Sequence, residues 1–295
     1  MHVISEPGQG RNQRMLAALE GEEVEAPFSF AIAGDSGAWA DPTAEAIFAQ
    51  LLRQVGELRP RPAFFANLGD FAGPGTRERH ERYLELVDAL PIPNLCVVGN
   101  HDLDDASGRA TFEAVHGPVN YTFACSHTRF VAIDAAPGAD GEVDIADGAT
   151  APRDDVVEFV ERALADADEP HRVVLMHPPP FVSEHGAIHP DWSYGERERE
   201  FVALLRRGGV SLVCCAHGLA FDTAVRDGVR VVMSGGGGSG LCSHYRGICT
   251  AGEGHPEDRG ALFHAVEIEI GARGEIAGRV RQAFAPPDAS PRLRF

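Results

Sequence analysis

Asn94-Leu95-Cys96-Val97-Val98-Gly99-Asn100-His101-Asp102 is an apolar run that ends in an amide, an imidazole and a carboxylate. An open α/β sheet delivers its chemistry at the carboxyl ends of its strands. The pattern recurs along the chain. Asp35 follows Phe28 to Ala33, and Asp70 follows Ala63 to Leu68. His177 follows Val173 to Met176, and His217 follows Val210 to Ala216. Singly, each of these is as easily a turn residue or a satisfied polar side chain. Five apolar runs that each end in a metal-ligand type are a shared signal.

Between these runs the spacing predicts helices. Asp41-Pro42 opens one, with Ile47, Phe48, Leu51, Leu52, Val55 and Leu58 at helical intervals. Further helices are expected over about 76–89, 153–167 and 195–207, and a hairpin over 121–134 turning near Ser126-His127. Strands at 221–226, 229–234, 261–270 and 275–284 follow. Segments 103–119, 135–151, 178–194 and 239–260 read as loops, and the glycines from Gly235 to Gly240 as a flexible connection. Early βα alternation and late paired strands predict a mixed two-sheet α/β architecture. The expected organisation is an N-terminal arm (1–26, with a short helix around Met15 to Leu19), one domain (27–285) and a C-terminal tail (286–295).

The 295 residues are 44% hydrophobic, enough for a substantial core, and the formal net charge of -18 disfavours a nucleic-acid duplex or an anionic membrane surface as partner. All 26 basic side chains are arginine. That excludes P-loop, Schiff-base and Ser-Lys chemistry. Cys96, Cys125, Cys214 and Cys215 lie in apolar runs, while Cys242 and Cys249 bracket a loop and are one candidate pair. The first residues carry no charged-then-apolar leader pattern, so a cytoplasmic protein is expected.

The ordered blocks Asp35-Ser36-Gly37, Gly69-Asp70, Gly99-Asn100-His101-Asp102, His177-Pro178-Pro179 and Ala216-His217-Gly218-Leu219 resemble the calcineurin-like metallophosphoesterase superfamily. The resemblance spans about 28–284 and implies a four-layer α/β/β/α sandwich with two mixed β-sheets. It implies hydrolysis of a phosphate mono- or diester by metal-activated water. The substrate would be a small phosphoester or a phosphoprotein. The implied metal ligands are Asp35, Asp70, Asn100, His177 and His217, with Asp70 shared between two ions. His101 would protonate the leaving group, with Asp102 orienting its ring. Carboxylate, amide and imidazole without thiolate suit Mn, Fe or Zn, divalent or trivalent, at one or two ions per chain. Such an ion lowers the pKa of bound water to ~7.

The first metal position departs from the pattern. Gly37 stands where many members carry His, Gly73 where purple acid phosphatases place Tyr, and Leu219 where Gly-His-x-His ends. One ion could suffice, or a loop histidine (His185, His189 or His244) could rebuild the site. Alternatively the chain is catalytically impaired and acts as a ligand- or partner-binding module. Arg109, Arg197, Arg246 and Arg259 are candidate phosphate contacts.

Overall fold

The computed structural model describes residues 10–37, 39–135, 152–183, 195–241, 262–283 and 292–294. In chain order the elements begin with α1 (Arg11–Glu20), β1 (Phe28–Ala33), α2 (Pro42–Glu57), β2 (Phe65–Asn67), α3 (Arg77–Val87) and β3 (Asn94–Cys96). A 3-10 turn (His101–Leu103), α4 (Gly108–His116), β4 (Tyr121–Cys125), β5 (Thr128–Ala132), α5 (Asp154–Ala165) and β6 (His171–Leu175) follow. The chain continues through α6 (Glu196–Arg207), β7 (Val210–Cys215), β8 (Phe221–Arg226), β9 (Val229–Ser234), β10 (His264–Ile270), β11 (Ile276–Gln282) and β12 (Arg292–Arg294).

Among the described residues the strands form two six-stranded sheets, ordered β12-β11-β10-β1-β2-β3 and β4-β5-β6-β7-β9-β8. Both are mixed: β1, β2 and β3 run parallel while β10 joins β1 antiparallel. In the second sheet β5, β6, β7 and β9 run parallel.

Period-2 alternation sorts each central strand between two cores. In β1, Phe30 and Ile32 face the layer between the sheets, against Phe130, Leu175 and Cys214. Ala31 and Ala33 face outward, beneath Phe48 and Leu51 of α2 and Tyr83 of α3. In β6, Val173 and Leu175 point inward and Val174 outward against Val160 of α5 and Val202 of α6. Strands buried on both faces read as continuous apolar runs, which is how they appear in the sequence. The result is the α/β/β/α layering. Helix α2 starts where expected: the Asp41 carboxylate accepts from Thr43 N at 2.8 Å, with proline in the first turn. Among the described residues no helix is long and apolar enough to cross a membrane.

The short helix expected around Met15 to Leu19 is present as α1, and Met15 and Leu19 add to the core between the sheets. Three expectations are corrected. Residues 292–294 of the expected tail pair with β11, Ala277 opposite Arg294. The expected loop 103–119 contains α4, whose Phe112 and His116 are its buried anchors. The glycines Gly235 to Gly237 are close-packed rather than a flexible connection: Gly237 N donates to Gly34 O at 2.8 Å, and a Cβ on Gly235 would lie 2.7 Å from Asp35 Oδ2.

His80 and His116, expected as ordinary surface or core residues, form a buried pair joining α3 to α4, Nδ1 to Nε2 at 3.0 Å. Burial, reinforced by Arg77, lowers His80 to about 4, and burial lowers His116 as well. Both rings are therefore neutral in the folded chain and protonate on unfolding below about 6.5. A depressed folded-state pKa gives stability that is full above the unfolded value and is lost as pH falls toward 4. Urea midpoints measured from pH 7 to pH 4 are expected to fall. His80→Gln is expected to flatten that slope; an unchanged slope would contradict the pair's role.

Candidate metal centre

Each candidate ligand sits on the first residues after a strand. Asp35 follows β1, Asp70 follows β2, Asn100 follows β3, His177 follows β6 and His217 follows β7. Three of them share one backbone conformation: φ is 58° at Asp35, 58° at Asp70 and 70° at His217. Aspartate and histidine tolerate this left-handed region better than most side chains.

Backbone bonds lace these loops together. Asp35 N donates to Gly69 O at 3.0 Å, Gly37 N to Asp70 O at 2.9 Å, and Ala216 N to His177 O at 2.8 Å. The expected ring-orienting residue, Asp102, has a different task. Its Oδ2 accepts from Asp70 N at 2.9 Å and Gly99 N at 2.8 Å. Its Oδ1 accepts from Phe71 N at 3.0 Å and Ala72 N at 2.8 Å. Burial and the nearby Asp70 carboxylate push Asp102 up, to about 7, against the pull of its N–H donors. Both oxygens are fully used, so a proton would have to displace a donor, and the group works as a carboxylate.

The residue on the His101 ring is Asp104, whose Oδ2 accepts from Nδ1 at 2.8 Å. This partner of the ring was not picked out by the sequence reading. Its signal was the three-residue spacing from His101, which faces it only because the 3-10 turn forms there. His101 N also donates to Asp70 Oδ1 at 2.9 Å, so the ring is seated beside the centre.

Four donor atoms converge. Asn100 Oδ1 lies 3.1 Å from His177 Nε2 and 3.0 Å from His217 Nδ1. His177 Nε2 lies 3.3 Å from His217 Nδ1 and 3.2 Å from Asp70 Oδ2. His177 Nδ1 donates to Leu68 O at 2.7 Å, which turns Nε2 inward. A neutral His177 therefore directs a lone pair at two oxygens and another imidazole nitrogen. Lone pairs packed this closely need a positive charge among them. Burial disfavours a charge on His177, but the Asp70 carboxylate outweighs it and raises the ring to about 9. Burial likewise opposes ionisation of Asp70, and the His177 charge overcomes it to hold the carboxyl at about 2. A proton on His177 thus stands where a cation would. The donor set of one carboxylate, one amide oxygen and two imidazoles fits a first-row transition metal. Asp70, His177 and His217 place one donor atom each within 4.8 Å of one another.

Asp35 is placed differently. It is buried, and its Oδ2 accepts from His217 N at 2.8 Å. Burial pushes its carboxyl well above the usual range, and Asp70 adds to the shift. A side chain at Gly37 would collide with the Phe71 carbonyl, so that turn has no room for a further ligand. His185, His189, His244, Cys242, Cys249, Arg246 and Arg259 lie outside the described residues. Arg109 is engaged by the buried Asp134 at 2.8 Å and Arg197 by Asp154 at 2.9 Å.

The family model for calcineurin-like phosphoesterases matches residues 28–220, which contain every one of these candidate ligands. The chain belongs to the calcineurin-like phosphoesterase family. Among solved structures, this phosphoesterase-family chain is similar to the purple acid phosphatase PPD1 of yellow lupin, at 14% identity, TM-score 0.63, covering 88% of this chain and 52% of that one. It therefore spans about half the length of the lupin protein. It is also similar to GAP50, described as the anchor in the inner membrane complex of Plasmodium, at 14% identity and TM-score 0.58 over 91% of this chain and 89% of that one. A third similar structure is phosphopantetheinyl hydrolase PptH of Mycobacterium tuberculosis, at 14% identity and TM-score 0.50 over 91% of this chain and the whole of that one. No curated protein matches the sequence. At such identities the likeness concerns the fold.

Asp102→Ala is expected to strand four buried N–H groups and to destabilise the chain by about 3 kcal/mol or more. Asp102→Asn, which keeps one accepting oxygen, should fall between. Chemical denaturation of both variants checks this, and a loss below about 1 kcal/mol for alanine would contradict it.

Proposed function

We propose that this chain hydrolyses a phosphate mono- or diester with one transition-metal ion held by Asp70, Asn100, His177 and His217. The observation that carries the reading is the approach of four donor atoms at 3.0 to 3.3 Å with their lone pairs facing one another. An ion of the Mn, Fe or Zn type would supply Lewis acidity there, polarising the phosphoryl oxygen and acidifying water.

The chain's own residues supply the rest. Asp104 fixes the His101 ring through Nδ1, and Nε2 makes no hydrogen bond to the described residues. In the reaction, water oxygen forms the new bond to phosphorus as the ester P–O bond breaks. The Nε2 proton passes to the departing oxygen, and the proton lost by water restores the ring. Asp104 acts as a positioning residue. Asp35 holds the His217 backbone in place rather than completing a second ion's shell. The proposed partner is a soluble phosphoester, either a small molecule or a phosphoprotein, met in the cytoplasm.

A second reading is favoured by Gly37, Gly73 and Leu219, which leave Asp35 and the shared Asp70 at the first metal position. On that reading the chain binds a ligand or partner without turnover.

Elemental analysis after loading with Mn, Fe or Zn is expected to give one ion per chain. Asn100→Ala and His177→Ala should lose both the ion and activity toward aryl phosphate mono- and diesters. His101→Ala should keep the ion and lose roughly 10²- to 10⁴-fold in kcat. A loaded wild-type protein inactive on the whole ester panel would support the binding reading. Full activity in Asn100→Ala would end the hydrolase reading.

A further inference from the structure

Trp39 lies on the loop between β1 and α2, four residues beyond Asp35. Its ring centroid is 5.1 Å from that of His101, with the planes at 53°. The residue is 49% exposed, and among the described residues the other exposed large hydrophobic is Val225, on β8. A single exposed apolar residue ordinarily needs no explanation. This one is an indole held against the ring that the proposed reaction uses to protonate the leaving group.

Geometry narrows what that indole can meet. Asp104 takes Nδ1 of His101, so the transferable proton is on Nε2. Asp70 Oδ1 holds His101 N from the side of the metal ligands, and Trp39 packs against the ring. A leaving oxygen about 2.8 Å from Nε2 would place a ring bonded directly to it within stacking reach of the indole. A ring set back by a flexible sugar or alkyl spacer would give up more conformational freedom to reach it.

We propose that Trp39 is a specificity-determining residue that stacks on the flat ring of a phenolic leaving group, so that the preferred substrates are aryl phosphoesters such as tyrosyl phosphate. This rests on the hydrolase reading above and deepens it. The bond changes are those already given: the phenolic oxygen leaves phosphorus and takes the Nε2 proton, while water oxygen stays on phosphorus. Stacking adds binding that an aliphatic leaving group cannot match, because offset π faces attract beyond the area they bury.

The test measures kcat/KM of the metal-loaded full chain for phenyl phosphate, tyrosyl phosphate and their diester counterparts against glycerol and ethyl esters of matched charge. Phenols leave more readily than alcohols from any enzyme, so the informative quantity is the change in the aryl-to-alkyl ratio between wild type and variant. Trp39→Ala and Trp39→Leu are expected to lower that ratio roughly 3- to 10-fold with metal content unchanged, while Trp39→Phe retains most of it. Leucine keeps apolar bulk without a flat face, so it separates stacking from simple contact. An active wild type whose ratio is unmoved by Trp39→Ala would overturn the stacking proposal and leave the hydrolase reading standing. A loaded wild type that turns over no ester would overturn both.

Discussion

One carboxylate ties the strand ends into a site. Asp102 collects backbone N–H groups from two loops, three from Asp70 to Ala72 and one from Gly99. Those loops carry the proposed ligands Asp70 and Asn100. Four charge-assisted bonds on one buried group fix their spacing far more tightly than packing could. A side chain at Gly99 would strike Asp70, so the close approach of the loops also requires glycine there. The adjacent His101 N completes the seam by binding Asp70 Oδ1. His177 and His217 arrive from the other sheet, and Ala216 N bonded to His177 O keeps their loops together. The centre is therefore a junction between two sheets, each held by its own backbone contacts.

That junction explains why the site is electrostatically costly. Asp35, Asp70 and Asp102 are all buried; Asp70 raises the pKa of both others, and Asp102 adds to the rise at Asp35. Such a cluster persists only if positive charge or N–H dipoles answer it. Asp102 is answered by dipoles, Asp70 by His177, and Asp35 by the His217 N–H and the more distant His177 charge. A net charge of -18 repels anions on average, and a cation held at the centre would offset that repulsion locally.

Much of this was legible in the sequence because the strands are buried on both faces. Such strands leave continuous apolar runs, and a polar residue at the end of each is conspicuous. The boundaries of β1, β8 and β9 coincide with those expected from the sequence. Helix α4 was less visible: nine residues with two deep anchors, Phe112 and His116, leave too few turns for a period to stand out. Helix α1 is legible as a short helix around Met15 to Leu19, but its polar, acidic flanks hide that these two side chains dock it in the core. The exchange between Asp102 and Asp104 was not readable. Carboxylates two residues apart differ in role only through the 3-10 turn, which buries Asp102 and brings Asp104 to the ring. The position of Trp39 against His101 likewise depends on a loop path that carries no period.

The same helix has a consequence for how the molecule avoids its own copies. Strand β3 ends the first sheet, with β2 on one side. On the other, the side chain of Asn12 accepts from Cys96 N at 3.0 Å and donates to Cys96 O at 2.9 Å, and Tyr121 Oη donates to that same carbonyl at 3.0 Å. The amide mimics a neighbouring backbone unit. An open strand border is a template on which another chain can polymerise. Here the Asn12 amide of α1 occupies that border at Cys96, so both backbone groups of that residue are already paired and offer no template to another strand.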